Sequence, residues 1–157
     1  MSDRLPRVSV GLAVYNGENY IREAIDSILA QTFEDFELII SDNASTDKTQ
    51  EICLEYAARD QRIRYDRADR NRGAAWNQNR VFELSTGTYY KLAAHDDVIA
   101  PDYLAKCVAV LDQNPAVVLC HSWTRSINEK SEIVEDLGDG SFIPESSKLK
   151  RLVKGFI

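Results

Sequence analysis

Apolar and polar residues along the chain follow two alternating rhythms. Residues 8–14 (VSVGLAV) are almost continuously apolar, as expected of a strand buried on both faces. Tyr15-Asn16-Gly17 breaks the run. From Glu18 the period lengthens, and Ile21, Ala24, Ile25, Ile28 and Leu29 share one helical face with charges opposite. Residues 36–40 (FELII) give a second strand that ends in Ser41-Asp42-Asn43. Ser45 or Thr46 is placed to cap the following helix, which turns Ile52, Cys53, Tyr56 and Ala57 inward. A short strand at 63–65 and a polar loop at 66–73 lead into a helix at 74–84, with Gly87 as its stop. A fourth strand at 88–94 is followed by a helix over 101–113 with a proline near its start. The apolar run at 117–123 predicts a fifth strand, and Asn128-Glu129-Lys130 a turn leading back to Ile133-Val134. Residues 135–147 read as loop and 148–156 as a further amphipathic segment.

Strands that alternate with helices predict an α/β fold with a mostly parallel sheet flanked by helices. In such a sheet ligands bind beyond the carboxyl ends of the strands. The polar interruptions at 15–17, 42–47 and 95–100 follow the first, second and fourth strands, and can converge on one sheet edge together with 66–73.

Composition narrows the class. The chain has 157 residues, 44% hydrophobic and 28% charged, which suits one soluble domain with a proper core. A net charge of −6 argues against a broad nucleic-acid surface. Cys53, Cys107 and Cys120 are distant and odd in number, fitting neither a disulfide framework nor a zinc pattern. They read as small buried residues of a protein in a reducing compartment. With no signal-peptide core and no apolar run of membrane-spanning length, the expected location is the cytoplasm, including a peripheral position at the inner membrane face.

The residues that carry chemistry stand at the strand ends. Asp96 and Asp97 are adjacent carboxylates directly after an apolar run. They repel each other unless a positive charge lies near, and a hard divalent cation carrying phosphate oxygens meets that need. The plainer reading makes one of them a helix cap. Tyr15 can stack on a base or sugar, or simply pack. Asp42 can accept from a ligand's ring N–H, or form an Asx turn or cap the following helix. Arg72 can meet a base or phosphate, or stay solvated. His95 and His121 have no nucleophile-forming neighbours, and their default role is structural or solvated. No G-x-x-x-x-G-K-[ST] and no G-x-G-x-x-G occurs.

Several ordered motifs sharpen this picture: Val8-Ser-Val-Gly-Leu-Ala-Val-Tyr-Asn16, Ser27-Ile-Leu-Ala-Gln-Thr-Phe-Glu-Asp-Phe-Glu37, Asp42-Asn-Ala-Ser-Thr-Asp47, Asn71-Arg-Gly73, Gly87-Thr-Tyr-Tyr90, and His95-Asp-Asp97 with Pro101. In this order and spacing, residues 7–123 resemble the nucleotide-binding half of the inverting family 2 glycosyltransferases of the GT-A (Rossmann-like) fold. The resemblance implies that a sugar moves from a nucleoside-diphosphate sugar, a UDP-sugar, to a hydroxyl of a carbohydrate or lipid-linked acceptor. It implies Ala13 and Tyr15 at the base, Asp42 accepting from the base, and Arg72 near base or diphosphate. Asp96 would hold the ribose or support the metal shell, and Asp97 would ligate Mg²⁺ or Mn²⁺. Two positions depart from the family pattern, since Ser41 and Ala94 stand where it often has acids. The family's catalytic base lies well after the metal motif. Asp136, Asp139 and Glu145 are available acids without motif support, so no base is assigned. The expected organisation is thus a single GT-A-type domain over 1–157, cut short in its acceptor-binding part. The alternatives are a nucleotidyltransferase, which should show a glycine-rich basic loop where Tyr15-Asn16-Gly17-Glu18 stands, and a non-catalytic nucleotide-sugar-binding module.

Overall fold

A computed structural model of the chain describes residues 4–137. Its contacts divide into two compact units, the first ending at Asp102 and the second starting at Tyr103. The first unit holds β1 (Val8–Val14), α1 (Ile21–Leu29), β2 (Phe36–Asp42), α2 (Thr49–Arg59), β3 (Ile63–Arg67), α3 (Ala74–Glu83) and β4 (Tyr89–Ala93). The four strands form one parallel sheet in the order β3-β2-β1-β4. The alternation of strands and helices thus gives the parallel α/β sheet expected of it.

β1 is the centre of this sheet, and its sequence shows why. Val8, Val10, Leu12 and Val14 are fully buried on one face. The opposite face carries the small residues Ser9, Gly11 and Ala13 because α3 approaches closely there. A Cβ added at Gly11 would lie 2.9 Å from Val81 Cβ and 2.6 Å from the Tyr90 hydroxyl. α1 buries Ile21, Ala24, Ile25 and Ile28, four of its five expected inward residues. In α2 only Ile52 and Cys53 of the expected face are buried with Thr49; Tyr56 is half-buried, its hydroxyl donating to Asp26 at 2.7 Å. Burial, followed by the nearby charges of Asp42 and Asp47, pushes the Cys53 thiol up to about 12, so this cysteine is an inert core residue.

The second unit holds α4 (Tyr103–Gln113) and an antiparallel hairpin of β5 (Thr124–Ile127) and β6 (Ile133–Leu137). The expected turn is present, closed by Asn128 Oδ1, which accepts from the N–H groups of Lys130 and Glu132. The strand expected at 117–123 is absent. Residues 117–120 are irregular and His121 makes a single bridge, so the strand begins instead at Thr124. An apolar run needs a partner ladder to become a strand, and among the described residues this run has only the single bridge at His121; Val118 is 76% and Trp123 67% exposed. Of the loop expected at 135–147, residues 135–137 belong to β6; the remainder, and the segment at 148–156, lie outside the described residues. No helix among the described residues is long and apolar enough to cross a membrane.

Candidate nucleotide-sugar site

The sheet order places a topological switch beside β1. The chain runs outward through β2 and β3, then returns so that β4 pairs with the other edge of β1. The connections leaving β1 and β4 therefore diverge at their carboxyl ends, and a cleft opens there. Its volume is about 610 Å³, within the usual range for small-ligand sites. Ala13, Val14 and Tyr15 line it from β1, and Leu92 to Asp97 from β4. Asn43 comes from the loop after β2, and Asn71, Gly73, Ala74, Asn77 and Gln78 from the start of α3.

The walls are held by hydrogen bonds between distant loops. Asn16 N–H donates to Ser45 Oγ at 2.9 Å, Gly17 N–H to Thr49 Oγ1 at 2.8 Å and Glu18 N–H to Asp47 Oδ2 at 3.1 Å. In the other direction, Thr46 N–H donates to Asn16 Oδ1 and Lys48 N–H to Glu18 Oε2. Ser45 and Thr46 therefore clasp the loop after β1 and do not cap α2, which starts at Thr49 without a side-chain cap. Beyond the two acids, Ile99 N–H donates to Ser27 Oγ, and Gln31 Nε2 to Ala100 O at 2.7 Å. The chain after Asp97 is thus fastened to α1.

Asp42 is fully buried and does not line the cleft. Its Oδ1 accepts from Ser45 N–H at 2.8 Å, and its Oδ2 from the Tyr65 hydroxyl at 2.7 Å and from Arg67 Nε at 3.1 Å. Burial, then the hydrogen bond to Asp42, raises the Tyr65 phenol well above its ordinary range. Arg72 also lies outside the lining. Its guanidinium bonds Asp69 at 2.7 Å and stacks 4.9 Å above the Trp76 ring. Tyr15, 43% exposed, lines the cleft with Ala13, Asp96 and Asp97. The structure therefore gathers Ala13, Tyr15, Asp96 and Asp97, buries Asp42 behind the wall, and leaves Arg72 exposed beside the lining residues Asn71 and Gly73.

Two asparagines that were not singled out in the sequence shape that wall. Asn43, fully buried, donates to Asn71 Oδ1 and Gly73 O and accepts from Arg72 N–H, so it clips the 71–73 loop in place. Asn77 donates to Val14 O at 3.1 Å and Ser41 O at 2.9 Å, and accepts from Ser41 Oγ at 2.6 Å. It binds the ends of β1 and β2 where they part, and gives Ser41 a buried partner. An asparagine inside a helix, a poor helix former there, was the available signal.

The charged side chains that line the cleft are of one sign. Its lining contains no lysine or arginine, and its carboxylates are Asp96 and Asp97, both exposed. Gly73, at φ 88°, starts α3 without a side-chain cap, so the positive end of the helix dipole faces the cleft. No three His, Cys, Asp or Glu side chains among the described residues are grouped to hold a metal by themselves. Two anionic oxygen ligands on an open cleft suit a hard cation that takes its remaining ligands from a phosphate-bearing molecule.

Comparison with known proteins agrees with this geometry. The family pattern described as "Glycosyl transferase family 2" matches residues 9–154. An uncharacterized glycosyltransferase of Methanocaldococcus jannaschii is 35% identical over 153 residues, which is 96% of this chain and 51% of that protein. The chain thus spans about half the length of this curated relative. A crystal structure of S. aureus TarS 1-349 in complex with UDP aligns with 27% identity and a TM-score of 0.64, covering 68% of this chain and 32% of that one. A mannosyltransferase from Pyrobaculum calidifontis in complex with GDP-Man and Mn²⁺ aligns with 28% identity and a TM-score of 0.65, covering 73% and 34%. With its parallel sheet, its cleft at the switch point and these matches together, the chain belongs to glycosyl transferase family 2.

Proposed function

We propose that this chain is the donor-binding part of a metal-dependent, inverting glycosyltransferase that uses a UDP-sugar and delivers the sugar to a hydroxyl of a carbohydrate or lipid-linked acceptor. One observation carries the reading: a cleft at the switch point with two exposed carboxylates and no lysine or arginine in its lining. A diphosphate entering that cleft meets two like-charged carboxylates against one helix N-terminus, and a hard cation between the acids and the phosphates removes that repulsion. TarS with UDP and with UDP-GlcNAc, and the mannosyltransferase with GDP-Man and Mn²⁺, support a nucleotide-sugar donor.

In this reading Tyr15 offers its ring to the base and Ala13 leaves room beside it. Asp42 acts from behind the wall, fixing the Ser45 turn and Arg67, and meets the base only if the wall opens. Arg72 reaches the diphosphate only by leaving Asp69 and Trp76. Asp97 ligates Mg²⁺ or Mn²⁺, with Asp96 on the ribose or in the same shell. When bound, the cation neutralises charge that develops on the departing diphosphate. The acceptor's proton needs a carboxylate base, and no residue of this chain is assigned that role. None of the three cysteines is in a disulfide, which supports a cytoplasmic setting.

Calorimetric titration of UDP and GDP, each with Mn²⁺, with Mg²⁺ and with EDTA, tests the reading. UDP should bind with a cation and lose most of its affinity in EDTA. Equal affinity in EDTA would refute the metal-dependent site, and preference for GDP would change the donor class.

A further inference from the structure

We propose that His95 is a positioning residue whose ring holds Asp96 and Asp97 at a set distance from Tyr15 by packing on Gly17. This rests on the donor-site reading above. Gly17 is buried, and its N–H is fixed to Thr49 Oγ1 at 2.8 Å. A Cβ added there would fall 2.7 Å from His95 Cδ2 and 3.3 Å from His95 Cγ, so the imidazole lies directly on the backbone of this turn. Real Cβ atoms do not approach so closely, and one methyl group would force the ring away.

The contact is made by ring carbons. The Nδ1 atom lies 3.9 Å from Asp96 Oδ1, beyond hydrogen-bonding distance. The ring therefore acts through its bulk, as a spacer between two cleft walls. Tyr15 stands two residues before Gly17, and Asp96 and Asp97 follow His95 directly. On the far side, the bonds from Ile99 to Ser27 and from Gln31 to Ala100 hold the chain. The two acids are thus strung between two anchors, α1 on one side and the His95–Gly17 contact on the other. Acids held this way meet a cation and diphosphate without first being ordered, which raises affinity. Removing the ring frees one anchor and leaves the base end of the cleft untouched.

The test uses the 157-residue chain as parent, His95→Ala and His95→Phe, with three readouts. These are uridine affinity, UDP affinity with Mn²⁺ and with EDTA, and melting temperature without ligand. In His95→Ala the factor by which Mn²⁺ strengthens UDP binding should fall at least about tenfold, the usual scale for losing a group that orients a metal ligand, while in His95→Phe it should stay within about threefold of the parent. Uridine affinity should be unchanged in both. An equal loss in His95→Phe would overturn the proposal, because a ring nitrogen would then be acting. No loss in His95→Ala would overturn it, as would a parallel loss of uridine binding, which marks general damage. A parent whose UDP affinity ignores Mn²⁺ overturns the metal-dependent reading and this proposal with it; every other outcome leaves that reading standing.

Discussion

Replacing Asn77 by aspartate keeps the shape of a buried side chain and reverses what it offers its neighbours. Asn77 is 2% exposed, and its Nδ2 donates to Ser41 O at 2.9 Å and Val14 O at 3.1 Å. In Asn77→Asp an acid oxygen faces both carbonyls. An ionised carboxylate has no donor to give them, so the group keeps its proton and its folded pKa rises above the unfolded value of about 3.9. A raised folded pKa sets the sign: the variant keeps its stability below that unfolded value and loses it as pH rises towards the folded pKa. At about 1.4 kcal/mol per unit, holding the proton up to pH 7 costs about 4 kcal/mol, and the acid's single O–H replaces the two hydrogens the amide donates, for about 1 kcal/mol more. The total of about 5 kcal/mol rivals the whole stability of many domains. Asn77→Ala behaves differently. Val14 O keeps the N–H of Asn43 at 2.9 Å, so the loss falls on buried Ser41, for about 3 kcal/mol without pH dependence. Urea unfolding of the parent and both variants at pH 5 and pH 7 separates the cases. The deficit of Asn77→Asp should shrink by about 2.7 kcal/mol at the lower pH, and that of Asn77→Ala should not move. Equal, pH-independent deficits would refute the placement of Asn77 between the two strand ends.

Three further outcomes follow from the same geometry. Tyr15→Ala should weaken UDP binding by about 1–3 kcal/mol, the scale of a base stacked on an aromatic ring, with little change in melting because the side chain is 43% exposed; calorimetry decides, and unchanged affinity removes Tyr15 from the site. Asp97→Asn should melt at or slightly above the parent in metal-free buffer, since it relieves repulsion with Asp96, and should lose the Mn²⁺ dependence of UDP binding; a much lower melting temperature would make Asp97 structural. Gly73→Ala should cost about 1–3 kcal/mol in urea unfolding, from its backbone at φ 88° and ψ 161° alone, because nothing lies within 4 Å of the added methyl.

The elements of the first unit were legible because their signals are local. A strand buried on both faces reads as an apolar run, and a helix on a sheet reads as a stripe of period 3.6; β1, β2, α1 and α3 each declare themselves within about ten residues. The acids after β4 and the aromatic after β1 were visible for the same reason, since polar residues at strand ends interrupt such runs. Local signals also misled. Ser45 and Thr46 have the chemistry of helix caps, yet their partners lie on Asn16, about thirty residues back. The run at 117–123 has the composition of a strand and, among the described residues, only a single bridge at His121.

What only the tertiary structure decided was which polar groups meet. Asp42 turned away from the cleft because Tyr65 and Arg67, on the neighbouring strand, satisfy its buried charge. Asn43 and Asn77 became cleft-wall residues through partners 28 to 63 positions away. His95 gained its place from a glycine at the end of another strand. Periodicity along a chain fixes which side of an element faces the core. The partner of a buried hydrogen bond depends on strand order and register, and those are settled only when distant segments pack together.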